Sequence, residues 1–162
     1  MKNTESNNEL LPSQIVAITQ WHNDRNLING ATDWSQSEKL FEEFIELIAA
    51  QMPDSRPIDI YMATARMLEN IFNKGRIKSV SSSMAEEAKI DAIGDMNVVL
   101  INIAERNGVS YEDCMRAAYT DIRDRKGILV DGSFVKAVDL FSFKERIIEL
   151  GMDYDKVVAD NT

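Results

Sequence analysis

The sequence is poor in residues that define several functional classes. Among 162 residues it has one cysteine, Cys114, and one histidine, His22. A single cysteine excludes an intrachain disulfide and favours a reducing compartment. A single histidine excludes a His–His metal pair. It also excludes a di-metal redox bundle, which needs Glu-x-x-His pairs on facing helices.

Long apolar runs and positive charge are also scarce. No apolar stretch approaches the roughly 20 residues that span a bilayer, and residues 1–11 lack the apolar core of a signal peptide. Lysine and arginine number 18 against 27 acidic residues, which gives a net charge of −9. Because phosphate neutralisation needs a basic surface, this balance argues against direct nucleic-acid binding. We therefore expect a cytoplasmic protein that contacts neither membranes nor nucleic acids.

Length and composition fit one all-α domain with a small hairpin. The hydrophobic content of 44% is ordinary for a globular chain, and a chain of this length buries a full core. We predict a flexible N-terminus over 1–11, a single helical domain over 12–150 and a loose acidic tail over 151–162. Apolar residues at helical spacing predict helices at about 12–28, 34–51, 58–73, 84–107, 110–123 and 141–150.

Local signals mark the ends of these helices. Pro53 ends the second predicted helix and Pro57 opens the third, because proline disfavours a helical residue before it and suits a first turn. Ser83, followed by Glu86, predicts a capping box before the fourth helix. Ser110 predicts an N-cap for the fifth.

Two further features concern the hairpin and the fourth helix. Asp131–Gly132 separates two β-prone runs, which predicts a hairpin at about 127–136. The fourth helix is apolar on most of its surface, and helices of this kind are buried. Because the predicted helices, and the apolar fourth one above all, leave much apolar surface to cover, we expect the chain to form a homo-oligomer.

Carboxylates line up on two of the predicted helices. One arc of the second helix carries Glu42, Glu43 and Glu46. One stripe of the fourth helix carries three more acids, spaced four residues apart: Glu87, Asp91 and Asp95. Like charges at this spacing repel by about a few tenths of a kcal/mol per pair, and a cation between the helices would relieve the repulsion. Oxygen ligands favour a hard metal, so the pattern predicts Mg²⁺, with Mn²⁺ as the alternative.

Four segments, in order, carry a resemblance to a known family. Glu42 to Glu46 has the form EExxE, and Asp91 to Asp95 forms a second acidic motif; Trp21 to Leu27 precedes them and Asp121 to Gly127 follows. In these segments the chain resembles the MazG-like, all-α nucleoside triphosphate pyrophosphohydrolases, in the form found in phage-encoded members. The resemblance covers about residues 21–135.

The resemblance implies a reaction and the residues for it. Members of the family bind Mg²⁺ through both acidic motifs and cleave an NTP or dNTP between the α and β phosphates, releasing the monophosphate and pyrophosphate. It implies a dimer or tetramer and a deoxynucleotide substrate. The metal ligands that it implies are Glu42, Glu43, Glu46, Asp91 and Asp95, with Glu42 or Glu43 also as the catalytic base. Ala92 stands where the second motif has glutamate, so Asp91 and Glu87 are both candidates for that ligand.

Candidate substrate residues lie mostly outside the acidic faces. They are Trp21, His22, Asn102, Arg123, Arg125 and Lys126. The aromatic pair suits a base, the amide suits a ligand, and the basic stretch suits phosphate oxygens. Each has a plainer interpretation as aromatic packing, a buried amide network or a solvated helix end.

A non-enzymatic interpretation fits the same composition. The acidic faces of a helical module with this net charge would bind a basic partner protein. Thermal stabilisation by Mg²⁺ separates the two interpretations, because a real metal site stabilises the folded state by mass action.

Overall fold

The chain is mostly helical with one two-stranded antiparallel hairpin near the C-terminus, as the sequence predicts. The structure, a computed structural model, describes residues 10–161, with side chains from Gln14 onward, so the predicted flexible N-terminus lies outside it except for Leu10 and Leu11. The helices are α1 (Leu10–Asp24), α2 (Leu27–Gly30), α3 (Asp33–Gln51), α4 (Pro57–Asn73), α5 (Ala85–Arg106), α6 (Tyr111–Ile122), α7 (Lys144–Glu149) and α8 (Tyr154–Asp160); the strands are β1 (Gly127–Val130) and β2 (Ser133–Lys136). None of these helices is both long and apolar enough to cross a bilayer.

The chain divides into two compact units. The first contains α1, α2, α6, the hairpin and the C-terminal helices, and the second spans Asp33–Met96 with α3 and α4. Helix α5 begins in the second unit and continues into the first from Asn97 onward. All five predicted metal ligands therefore belong to the second unit, whereas Trp21 and the basic stretch belong to the first.

Helices of the second unit begin and end close to their predicted positions. Helix α3 ends at Gln51, just before the Met52–Pro53 step, and Pro57 is the first residue of α4. Gly75 follows α4 with a φ of 64°, a left-handed conformation that favours glycine and ends a helix. These ends depend on neighbours in the sequence, so the sequence predicts them well.

The capping box predicted before α5 is wrong. Ser83 lies within a 3₁₀ turn, Ser82–Met84, and Ser81 precedes it without a side-chain cap. The Glu86 carboxylate accepts a hydrogen bond from Lys89 Nζ at 3.0 Å instead of returning to the helix start. The extra 3₁₀ turn moves the helix start beyond Ser83, which removes the spacing that a capping box needs.

The first predicted helix is shorter than expected. It ends at Asp24, and Asn26 adopts a left-handed φ of 57° before the short α2. The break coincides with tertiary contacts to β1: Leu129 N donates to Arg25 O at 2.9 Å, and Asn26 Nδ2 donates to Leu129 O at 3.2 Å. The Arg25 carbonyl oxygen, freed by the end of the helix, and the Asn26 side chain thus bind the outer edge of the hairpin.

The hairpin is where the sequence predicts it. Asp131 and Gly132 have φ values of 48° and 79°, and a two-residue turn with both residues left-handed matches the twist of the strands. Ile128 pairs with Val135 in the antiparallel register. Around the hairpin lies the buried apolar cluster of the first unit, formed by Ile128, Val130, Val135, Leu140 and Ile147.

The C-terminal segment is more ordered than predicted. A 3₁₀ helix, Ala137–Phe143, precedes α7, and the supposedly loose tail forms α8. Tyr154 and Val157 of α8 pack against the apolar cluster. Asn161 is buried and accepts a hydrogen bond from Gly127 N at 2.7 Å through Oδ1. The tail therefore closes the core at the base of the hairpin.

We expect Asn161→Ala to lower the free energy of unfolding by about 1–3 kcal/mol, because it leaves the buried Gly127 N–H without its acceptor. Urea unfolding measures the change. The control is Asn107→Ala. Asn161 Nδ2 donates to the Val157 carbonyl at 2.8 Å, and Asn107 Nδ2 makes the same bond to the Ile103 carbonyl at 2.8 Å, but on an exposed surface. Equal stability of the Asn161 variant and wild type would show that water replaces this hydrogen bond.

The burial predicted for α5 is wrong for the single chain. All residues from Ile90 to Asn102 are exposed, and Ile90 itself is 73% accessible to solvent, whereas Ala104 near the end is buried. Apolar composition shows what a helix needs to bury, but burial itself depends on neighbouring elements. The described residues of one chain do not supply enough of them.

Candidate metal and substrate site

Two carboxylates of the EExxE segment share a cation on their own helix. Lys39 Nζ lies 3.1 Å from Glu42 and 3.1 Å from Glu43, on the exposed surface of α3. Hydrogen bonds from Lys39 to Glu42 and Glu43 raise the pKa of the lysine, so its ammonium stays charged. Lys39 thus relieves the repulsion that the sequence pattern assigns to a metal. Exposed pairs of this kind contribute about 1 kcal/mol or less.

Glu46, the last acid of the segment, is exposed one turn further along α3. Within residues 10–161 it has no ion-pair partner. Its carboxylate is therefore available to a ligand or metal that approaches this side of the helix.

The acidic stripe on α5 is exposed and unpaired in the same part of the chain. Glu87, Asp91 and Asp95 are open to solvent, and no lysine or arginine of the described residues pairs with them. The ion pair that joins α5 to α3 uses other groups: Lys89 Nζ lies 3.1 Å from Asp33. Three neighbouring carboxylates without a cation remain mutually repulsive, which favours any cation that can bind them.

The predicted ligands are not brought together within one chain. Among residues 10–161, no three His, Cys, Asp or Glu side chains form a group that could hold a metal ion. The acids of α3 and α5 therefore have the oxygen chemistry of a Mg²⁺ site but not its geometry in a single chain. The metal site stays a prediction from the sequence.

Trp21 lies in a packed cluster at the end of α1. Its ring stacks on Phe134 of β2 at a centroid distance of 6.3 Å, and the Arg25 guanidinium lies 4.8 Å from the ring centre. His22 meets it edge-on at 5.3 Å, and burial lowers the pKa of His22, which keeps the imidazole neutral near pH 7. These contacts use the ring for packing. The indole Nε1, however, is buried and has no hydrogen-bond partner in the part of the chain that the structure describes.

Arg25 is a residue of this cluster that the sequence reasoning missed. It is only 7% exposed, and its Nε donates to the carbonyl oxygen of Arg125 at 2.8 Å. Burial lowers the pKa of Arg25, and the charge of Asp24 acts against that shift. Arg25 therefore anchors the basic stretch to the end of α1. Its place inside the Trp21-to-Leu27 segment was the signal that could have identified it.

The basic stretch after α6 is partly neutralised by its own acids. Arg123 pairs with Asp124 at 3.3 Å, and Arg125 pairs with Asp121. Lys126 is exposed and has no ion-pair partner among the described residues, although its backbone carbonyl accepts a hydrogen bond from Ala137 N. Lys126 is thus the cation of this stretch most available to a phosphate.

Asn102 lies on the exposed part of α5 that belongs to the first unit. A buried amide network is therefore the wrong interpretation for this residue, and contact with a ligand is left as its predicted role.

Comparison of the chain with family models, curated proteins and solved structures finds no match in any of the three.

Proposed function

We propose that the protein is a Mg²⁺-dependent nucleoside triphosphate pyrophosphohydrolase, with dNTPs as the favoured substrates. The reaction is hydrolysis between the α and β phosphates to a monophosphate and pyrophosphate. The observation that carries the proposal is the order of four motifs on suitable elements. Trp21 lies in the last turn of α1, and Glu42 to Glu46 lies in the middle of α3. Asp91 and Asp95 follow on α5, and the basic stretch follows α6.

The state of the carboxylates supports the proposal. Glu46, Asp91 and Asp95 are exposed anions that pair with no cation of the described chain. An acidic surface with no internal counterion favours an external one, and oxygen ligands select Mg²⁺ or Mn²⁺. Bound there, the metal would supply charge to hold phosphate oxygens.

Roles for the chain's own residues follow from their chemistry. Glu42 or Glu43 accepts a proton from the attacking water, and Lys39, which contacts both carboxylates, keeps them oriented on α3. Lys126, with Arg123 and Arg125, stabilises charge on the departing pyrophosphate, since cations and guanidinium forks match phosphate oxygens.

A non-enzymatic acidic module is the second candidate, and one observation favours it. The carboxylates of α3 and α5 are exposed and do not converge in one chain. Such a surface, with a net charge of −9 overall, suits a basic partner protein by charge complementarity.

Pyrophosphate release from a panel of NTPs and dNTPs tests the proposal. We expect release with Mg²⁺, none with EDTA, and nucleoside monophosphate as the second product, because the proposed cleavage lies between the α and β phosphates. The substrate with the highest kcat/KM identifies the base and sugar. Absence of pyrophosphate with every nucleotide, from protein whose circular dichroism is helical, would refute the enzyme and favour the binding module.

A further inference from the structure

The two edges of the hairpin differ in what they bind. In an antiparallel pair, alternate residues of each strand point their backbone groups away from the partner strand, and on β1 these residues are Gly127 and Leu129. Gly127 N donates to Asn161 Oδ1 at 2.7 Å. Leu129 N donates to Arg25 O at 2.9 Å, and Leu129 O accepts from Asn26 Nδ2 at 3.2 Å. The outer edge of β1 is therefore covered by other residues of the first unit.

The strand register carries the same alternation over to β2. Leu129 pairs with Phe134, and Gly127 pairs with Lys136. The N–H and C=O of Phe134 and the N–H of Lys136 therefore point away from β1, toward the opposite side of the hairpin. Among residues 10–161, nothing forms a hydrogen bond with these three groups. We call them the open edge of β2.

The chain that follows β2 leaves this edge accessible. Strand β2 packs against β1 and against the 3₁₀ helix Ala137–Phe143. Ala137 N donates to Lys126 O at 3.1 Å, so the chain that leaves β2 stays on the side of β1. Phe134 and Lys136 are both exposed. Another chain can therefore reach the open edge.

Unpaired N–H and C=O groups along a strand are a template for a further strand. An extended segment beside such an edge forms main-chain hydrogen bonds that provide affinity, while the neighbouring side chains provide specificity. In an antiparallel arrangement, the residue directly opposite Phe134 accepts a hydrogen bond from Phe134 N and donates one to Phe134 O. The open edge thus has the hydrogen-bonding groups for one short added strand.

Side chains beside the edge define what such a strand would carry. Phe134 and Lys136 lie on one face of β2, and Val135 lies on the other face, where it is buried. Phe134 remains 38% exposed although its ring stacks on Trp21. Because side chains directly opposite each other lie about 5 Å apart, an added strand places one residue beside Phe134 and another, two positions along, beside Lys136. An apolar residue suits the first position.

Charge selects the second position. Lys136 is exposed and has no ion-pair partner in the described part of the chain. The other charged residue of the hairpin, Asp131, is already bound by Arg146 through two contacts of 2.7 Å. An acidic residue beside Lys136 therefore gains a partner, whereas a basic one is repelled. A lysine on an edge also discourages the pairing of identical edges, so a segment of another protein suits this edge better than a second copy does.

We propose that the open edge of β2 binds an extended acidic segment of a partner protein as a third, antiparallel strand. The segment has an apolar residue beside Phe134 and an acidic residue two positions along, beside Lys136. This surface is separate from the acidic faces of α3 and α5 and has the opposite charge preference. It also stands apart from the proposed pyrophosphohydrolase, because no residue assigned to that reaction lies in β2.

Amide hydrogen exchange in the free, full-length protein is the first test. We expect the Phe134 and Lys136 amides to exchange at least about tenfold faster than those of Gly127 and Leu129, because only the β1 amides have acceptors. Slow exchange on β2 would overturn the proposal, because the edge would then be covered already. If that protection were lost on dilution, the occupant would be a second copy.

A synthetic peptide then tests binding. The probe is an acetylated and amidated heptapeptide with isoleucine, threonine and glutamate at its centre, flanked by two serines on each side. We expect it to shift the Phe134 and Lys136 amide resonances and to slow their exchange at least about tenfold. The control peptide is methylated on the three central backbone nitrogens, which removes their donors, and it should bind at least about tenfold more weakly. No shift at millimolar probe, or equal binding of the two peptides, would overturn the proposal.

Charge exchange tests the role of Lys136. Replacing the glutamate of the probe by lysine should weaken binding to wild type at least about fivefold, and Lys136→Glu should reverse that preference. The matched control is Lys156→Glu, an exposed position on α8 of the same unit, which should leave the preference unchanged. Equal binding of both probes to wild type would contradict the proposal even if Lys136→Glu did not fold, and so would an equal effect of the control variant.

Discussion

Asp95→Asn is expected to lower Mg²⁺-dependent pyrophosphate release by about 100-fold or more. Mutating a residue that hydrogen-bonds to a metal ligand already lowers metal affinity or activity by about 10–100-fold. Removing the charge of the ligand itself is expected to lower activity further. Asparagine keeps the size of the side chain, and Asp95 is exposed on α5 with no ion-pair partner among the described residues. The fold should therefore be unaffected, which makes the loss specific to metal binding.

The measurement combines kcat/KM for pyrophosphate release with the rise in Tm on adding Mg²⁺. The variant should lose both the activity and the rise in Tm. The rise in Tm measures metal binding by mass action and does not require turnover. Glu43→Gln should behave in the same way. Glu69→Gln is the control, because Glu69 is an exposed acid of α4 with no proposed role. Wild-type turnover in both Asp95→Asn and Glu43→Gln would show that the site assignment is wrong.

Gly127→Ala is expected to destabilise the first unit by about 3 kcal/mol or more. Gly127 has a φ of 143°, which side chains rarely adopt, and a Cβ there would collide with the carbonyl oxygen of Val135 in the paired strand. Strain of this backbone region costs about 1–3 kcal/mol, and overpacking against backbone costs about as much again. The substitution also disturbs the hydrogen bond that the Gly127 N–H donates to Asn161 Oδ1.

Urea unfolding followed by Trp21 fluorescence measures this effect, in a Trp34→Phe background, because Trp21 stacks on Phe134 of the hairpin. Gly132→Ala is the matched control. Gly132 has a φ of 79°, but no atom lies within 4 Å of the position that a Cβ would occupy. Gly132→Ala should therefore lower the free energy of unfolding by only about 1–2 kcal/mol, the cost of a left-handed conformation. Equal midpoints for the two variants would mean that the hairpin base relaxes around the new methyl group.

Local sequence signals predicted much of the fold. The ends of α3 and α4, the N-cap at Ser110, whose side chain accepts from Asp113 N at 3.0 Å, and the Asp131–Gly132 turn all follow from residues a few positions apart. Such signals act through steric limits and hydrogen bonds within one turn of chain. They remain valid whatever the rest of the protein does.

Predictions that depended on distant residues were less successful. The first helix ends at Asp24 because the two residues that follow bind Leu129, about a hundred positions away, through the Arg25 carbonyl oxygen and the Asn26 side chain. The C-terminal tail forms α8 because Val157 packs against the apolar cluster around the hairpin and Asn161 accepts a hydrogen bond from Gly127 N. Neither contact has a signal within the segment itself. The local sequence pattern therefore predicted a helix that is too long and a tail that is too loose.

The candidate site shows the same division. Sequence spacing placed Glu42, Glu43 and Glu46 on one helix, and Asp91 with Asp95 on another, and both sets lie on helices. Spacing along a helix says nothing about its distance from a second helix or about which side faces it. Whether the two sets meet was therefore beyond the sequence, and in one chain they do not form a metal-holding group among residues 10–161.

What the sequence by itself determined is the set of local conformations and the chemistry available to them: helices with apolar faces, acidic faces of oxygen ligands, and a hairpin at a left-handed turn. Only the tertiary structure decided which apolar faces are buried. It covers Ile128 and Ile147 in the first unit and leaves Phe72 and Ile90 open in the second. The physical reason is that a side chain's hydrophobicity is fixed by its own atoms, whereas its burial requires a second surface to pack against.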